Sequence, residues 1–172
     1  MRSFTGAHFF NAEGKCPVNI YRVAFIGHRK IYGPRHLENQ IEDILREILR
    51  NNDFVEFYLG RNGDFDILTA SVIKRTQNAV GHENSSLILV QPYTMKDDPY
   101  FKEFYDEMEY PISPKTPPKT AIIKRNQWMI DNADLLIAYV EPNRRGGAMT
   151  TLKYAQKKEL SIINLTDSVL QN

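Results

Sequence analysis

Four stretches of this chain hold the side chains that could do chemistry. The first is Gly27-His28-Arg29-Lys30, which follows the apolar run Tyr21-Arg22-Val23-Ala24-Phe25-Ile26. An apolar run that stops at a glycine reads as a buried parallel strand delivering its carboxyl end to a polar site. Glycine lets backbone and ligand approach closely, and Arg29 and Lys30 put positive charge where the next helix starts, so the expected ligand is anionic. A solvated turn reads the same way from these four residues alone. The second stretch, Glu141-Pro142-Asn143-Arg144-Arg145-Gly146-Gly147-Ala148, repeats the logic. A glycine pair opening a helix exposes free amides to a phosphate, and a guanidinium holds two phosphate oxygens at once. Its alternative is a turn that needs positive φ and no ligand. In the third, Gly60-Arg61-Asn62-Gly63-Asp64-Phe65-Asp66, the carboxylates are helix caps or ligand contacts. The fourth holds Arg125, on a helix from which it could point toward the site. Glu109, in a long connection, is the remaining carboxylate to consider, because a paired Asp and Glu can activate water and stabilise a sugar cation.

The elements that must position these residues are legible as alternating periods. Leu37, Ile41, Ile44, Leu45, Ile48 and Leu49 recur at helical spacing between His36 and Arg50. Phe54 to Leu59 reads as a strand, Phe65 to Thr76 as a helix, Leu87 to Val90 as a strand, Thr120 to Ala133 as a helix and Leu135 to Val140 as a strand. A helix from about Ala148 to Lys158 and a strand from Ser161 to Leu165 complete the chain. Strands alternating with helices predict an α/β fold, three layers α/β/α, with a five-stranded parallel sheet in the order 3-2-1-4-5. In that order the loops after strands one and four face each other across one crevice, with Gly60 to Asp66 at its edge. Residues 91–119 carry Pro92, Pro99, Pro111, Pro114, Pro117 and Pro118 among aromatic residues. They read as a long loop, either a lid or an insertion held by aromatic anchors, with one or two helical turns within Phe101 to Met108. The domain is expected over 21–172, after an N-terminal extension at 1–20.

Composition narrows the classes. A length of 172 residues fits one domain, and a formal net charge of +1 argues against a surface that is wholly a nucleic-acid footprint. A nucleic-acid partner would need Lys115, Lys119, Lys124, Arg125, Arg144 and Arg145 in one patch. The single cysteine, Cys16, leaves no intramolecular disulfide and fits a reducing cytoplasm. No apolar run reaches membrane-span length, and a His8–Cys16 metal pair has no residues to complete its shell. A homo-oligomer would form through outer helices or an edge strand.

Phe25-Ile26-Gly27-His28-Arg29, Gly60 to Asp66, Arg125-Asn126-Gln127-Trp128-Met129-Ile130-Asp131, and Gly146-Gly147-Ala148 with Tyr154-Ala155-Gln156-Lys157-Lys158 together resemble the SLOG superfamily of Rossmann-like proteins. Within it, the chain is similar to small bacterial proteins related to YpsA, over roughly Arg22 to Asn164. The resemblance implies a nucleotide, or a phosphorylated ligand derived from one, at the carboxyl edge of the sheet, bound for sensing or signalling. It also implies, as an alternative, N-glycoside hydrolysis of a nucleoside monophosphate, the reaction of the LOG proteins, and it picks out Asp66 through the family's Phe-Asp pair. The LOG pattern Gly-Gly-x-Gly-Thr-x-x-Glu has Met149 here in place of its third glycine and Lys153 in place of its glutamate, which favours binding over hydrolysis. The expected binding set is Gly27, His28, Arg29, Gly60, Gly63, Arg125, Arg145, Gly146 and Gly147. Asp66 and Glu109 are the carboxylates for chemistry, and no metal or cofactor is expected.

Overall fold

The computed structural model describes residues 18–94 and 99–167, apart from the side chain of Tyr100. His8, Cys16 and the expected extension as far as residue 17 lie outside the described residues. Alternation within each strand sends successive side chains to opposite faces of the sheet. In β1 (Ile20–Gly27) Val23 and Phe25 enter one core while Ala24 and Ile26 enter the other. β2 (Phe54–Leu59), β3 (Ser85–Val90) and β5 (Leu135–Tyr139) divide in the same way, with Phe57, Leu87 and Ile137 on the first face and Tyr58, Ile88 and Leu136 on the second.

The first face is covered by α1 (Pro34–Asn51) and α2 (Asp64–Val80). The periodic residues Leu37, Ile41, Leu45, Ile48 and Leu49 of α1 and Phe65, Val72 and Ile73 of α2 are all buried there. α4 (Pro118–Asp131) and α5 (Gly147–Lys157) cover the second face through Met129, Ile130, Leu152 and Ala155. The result is a three-layer α/β/α architecture around an entirely parallel sheet, Rossmann-like in outline. No helix among the described residues is long and apolar enough to cross a membrane.

The sheet has six strands rather than the five expected. Its order, β4-β3-β2-β1-β5-β6 with β6 at Ser161–Asn164, therefore departs from 3-2-1-4-5. The difference lies in the segment expected to be a long loop: it contains α3 (Pro99–Phe104) and the edge strand β4 (Glu107–Glu109), which pairs with β3. Three residues with one half-buried Met108 between exposed glutamates carry too little periodicity to be read as a strand. Docking fixes them. Asp106 accepts from the Leu87 amide at 2.7 Å and from Gln77 Nε2 at 3.1 Å, and pairs with Lys74 at 2.6 Å. Tyr105 is buried beside Phe101 and Phe104 against the first core. This part of 91–119 is anchored to the sheet edge, not hung over the crevice as a lid.

Burial pushes the Asp106 carboxyl up, but Lys74, the Leu87 amide and Gln77 outweigh it and hold it below its ordinary 3.8. A depressed carboxylate stabilises the fold at neutral pH, and that contribution is lost as pH falls below 3.8 through the folded value. Asp106→Asn should cost about 1.5–3 kcal/mol, the range for hydrogen bonds to a charged group, in urea unfolding at neutral pH. It should also speed amide exchange in β4 more than in β1, and equal exchange in both strands would refute the edge-clamp account.

Candidate functional site

The strand order reverses between β1 and β5: α1 leaves β1 for one face of the sheet and α5 leaves β5 for the other. A crevice opens at such a point, at the carboxyl ends of the strands. Here it has a volume of about 420 Å³, within the range of small-molecule pockets. Its two walls are pinned together by polar contacts. His28 N–H donates to Tyr139 O at 3.3 Å, His28 Nε2 accepts from the Glu141 amide at 3.0 Å, and Arg144 Nη1 donates to Lys30 O at 3.1 Å.

His28 is therefore a peg rather than a cation. Its ring is buried, and an Nε2 that accepts a hydrogen bond puts the proton on Nδ1. Burial first, and then the charge of Arg144, lower its pKa from 6.5 against a smaller pull from Glu141.

The glycines lining the crevice do different work. A Cβ on Gly27 would lie 2.2 Å from the Phe65 ring, and one on Gly63 would lie 2.5 Å from the Arg29 backbone. Both positions stay bare so that the start of α2 can press against β1, where the Asp64 amide donates to Arg29 O at 2.8 Å. Their glycine signal in the sequence is a packing signal. Gly146 has φ 146°, a conformation that favours glycine. Gly147 needs neither the space nor a left-handed backbone, since nothing approaches its Cβ position within 4 Å.

The amino terminus of α5 faces the crevice uncapped. Thr150 N is the first amide bonded back to the helix start, at 3.0 Å to Gly146 O, and no side chain caps the end. The amides of Gly147, Ala148 and Met149 are left over, and no acidic residue stands in the first turn. Arg29 and Arg145 line the same crevice, exposed and without a partner among the described residues.

Across the floor lie Asp66 and Arg125, on either side of Gly60. Asp66 accepts from the Asn62 amide at 2.8 Å. Burial raises its pKa above 3.8, with the Asn62 amide and Arg125 partly offsetting the rise. Arg125 is buried, donates to Val90 O at 3.2 Å and touches Met129 Sδ at 3.9 Å, while its Nε has no partner. Burial lowers the guanidinium's pKa, opposed by Asp66 and then by the Tyr93 phenol.

Of the residues expected at the site, Gly27, His28, Arg29, Gly60, Gly63, Asp66, Arg125, Arg145, Gly146 and Gly147 all line the crevice. Glu109 does not. It ends the edge strand, where its carbonyl accepts from the Gln91 amide at 2.8 Å, and two strands separate it from β1. Glu109 sits on the edge strand while Asp66 lines the crevice, so the two carboxylates expected to act together do not form a pair. The basic patch also loses a member, because Arg125 is buried while Lys115, Lys119 and Lys124 are exposed.

Asn62 went unnoticed, although it lies inside the Gly60–Gly63 stretch, where a following acid seeks backbone amides. Asn126 ties its helix to α5. Its Nδ2 donates to Thr151 Oγ1 at 3.1 Å, and its Oδ1 is buried without a partner.

No protein-family model matches the chain, and no curated protein matches it significantly; the crevice has to be read from its own chemistry. Two predictions follow from how it is built. Gly27→Ala should destabilise the fold by about 1–3 kcal/mol through overpacking, and a thermal melt equal to wild type would refute the Phe65 contact. Protonating His28 would remove the acceptor of the Glu141 amide. A folded pKa below 6.5 makes the unfolded chain bind the proton first, so stability falls as pH drops below 6.5. His28→Gln, whose side-chain oxygen can still accept, should flatten that part of the profile of thermal midpoints. An unchanged profile would place the titrating group elsewhere.

Proposed function

We propose that the crevice binds a phosphorylated small molecule derived from a nucleotide, for sensing or signalling. The observation that carries this reading is the uncapped start of α5. Three unbonded amides converge at the positive end of a helix with no acid in its first turn, and Arg29 and Arg145, unpaired among the described residues, share the crevice. A phosphate would satisfy the amides and neutralise the guanidinium groups together. Similarity of four sequence stretches to SLOG proteins supports the nucleotide part of the reading, and Asp66 as the one carboxylate among the described residues lining the crevice supports binding over turnover.

N-glycoside hydrolysis has one observation in its favour: Asp66, whose pKa burial pushes up from 3.8, lines the crevice. Release of free adenine from AMP by the purified protein would make that the function.

Arg145→Ala and Arg29→Ala should each weaken AMP binding, measured by calorimetry, by about tenfold and at most about a hundredfold. The lower figure applies to contacts this exposed, and the loss should shrink as salt is added. Adenosine should bind both variants as it binds wild type. Equal losses for AMP and adenosine would put the phosphate somewhere else.

A further inference from the structure

Gly60 has no left-handed backbone to account for its missing side chain. What stands in that side chain's place is the Arg125 guanidinium. The point where its Cβ would stand lies 2.3 Å from Arg125 Nη1 and 3.1 Å from Asp66 Oδ2. Two opposite charges thus converge beside Gly60, yet they form no ion pair within 4.0 Å. They are too far apart to bond each other and close enough to bond one and the same small group.

Neither side chain is satisfied by the fold. A guanidinium offers five N–H donors, and in Arg125 only Nη1 reaches an oxygen, that of Val90, while Nε is buried and unpartnered. Asp66 takes one amide, from Asn62, on Oδ2, and Oδ1 has no partner among the described residues. Buried polar groups in folded proteins are nearly always paired, so the open donors of the buried Arg125 on the floor of a crevice call for a partner that the described residues do not supply.

The chemistry of that partner follows from the pair. A second phosphate is disfavoured, because Asp66 would stand against it. A cation is disfavoured equally by Arg125. An uncharged group that both donates and accepts fits both sides, and a hydroxyl is the smallest one, donating to Asp66 and accepting from Arg125. With hydroxyl bonds of about 2.7–3.0 Å on each side, one oxygen spans a gap too wide for an ion pair.

We propose that the gap between Asp66 Oδ2 and Arg125 Nη1, beside Gly60, is a hydroxyl-reading subsite, so that the crevice takes a ribosyl ligand and rejects the analogue lacking one ribose hydroxyl. This rests on the phosphate reading above, which supplies the other end of the ligand. A site built to bond a hydroxyl discriminates strongly, since the analogue leaves the buried Arg125 and the half-buried Asp66 without that partner.

The test is calorimetric titration of AMP and GMP, each beside its 2′-deoxy and 3′-deoxy counterparts, into wild type, Gly60→Ala and Asp66→Asn. Wild type should bind one of the two deoxy forms about tenfold to a hundredfold more weakly than the ribonucleotide. Gly60→Ala brings a methyl group to 2.3 Å from where Arg125 Nη1 stands, so it displaces the guanidinium without changing any charge, and it should bind the ribo and deoxy forms alike. Asp66→Asn should narrow the difference, and a thermal melt checks that each variant folds. Equal binding of ribo and deoxy forms by wild type would overturn the subsite and leave the phosphate reading standing. A preference that survives in Gly60→Ala would also overturn it, by showing that the hydroxyl is read elsewhere. If wild type binds none of the six nucleotides, the phosphate reading fails and the subsite fails with it.

Discussion

The packing of Phe65 against the side-chain-free face of Gly27 is the contact on which the carboxyl edge of the sheet depends. Phe65 is fully buried and stacks on Tyr139, with ring centroids 5.9 Å apart and planes 15° from parallel. One aromatic side chain at the start of α2 therefore touches the last residues of both β1 and β5, on the two sides of the point where the strand order reverses. Any side chain at position 27 would have to displace that ring. The close approach also brings Gly63 against the Arg29 backbone and sets Asp66, one residue beyond Phe65, at the crevice floor.

Charge in the crevice is arranged in two tiers. Arg29 and Arg145 are exposed, so they cost the fold little and respond to salt. Arg125 is desolvated, and a buried charge without a counter-charge is expensive; Asp66 nearby and the Val90 carbonyl offset part of that cost. The pair gives the floor little net charge, while the rim stays positive. A ligand that is anionic at one end and neutral and polar at the other matches this gradient. His28 adds nothing to it, because its ring is neutral and spent on holding the walls together.

Much of this was legible in the residues, and the exceptions have physical causes. Helical spacing in Leu37, Ile41, Leu45 and Leu49 and the short apolar runs of four strands gave the layers, because a face that must be buried leaves its period in the sequence. The meeting of Gly27, Gly60 and Gly147 followed from the handedness of crossovers. Strand β4 was not legible: Glu107-Met108-Glu109 has no period to show, and its pairing is imposed by Asp106 from outside the strand. Glu109 was misplaced for the same reason. Glycines were found but their reasons were not, since a ring pressed on Gly27 and a guanidinium beside Gly60 are facts of tertiary approach. So is the proximity of Asp66 and Arg125, far apart in sequence and joined only by packing.

Edge and crevice are mechanically connected through residues that no motif announces. The stretch Gly60 to Gly63 is gripped on both sides. Toward β1, Asp64 donates its amide to Arg29 O; toward the sheet edge, the Arg61 guanidinium lies over the Phe101 ring of α3 at 4.1 Å from the centroid. Phe101 and Tyr105 pack on each other with centroids 6.2 Å apart, and Tyr105 precedes the Asp106 clamp that holds β4 on β3. The loop that carries Asn62 and leads into Asp66 is thus stretched between the switch point and the edge module, so the width of the gap under Gly60 depends on contacts from both ends. A domain of this design needs the aromatic-rich segment between β3 and α4 as a brace for its binding loop, and that gives a physical reason for a connection so much longer than the others in the fold.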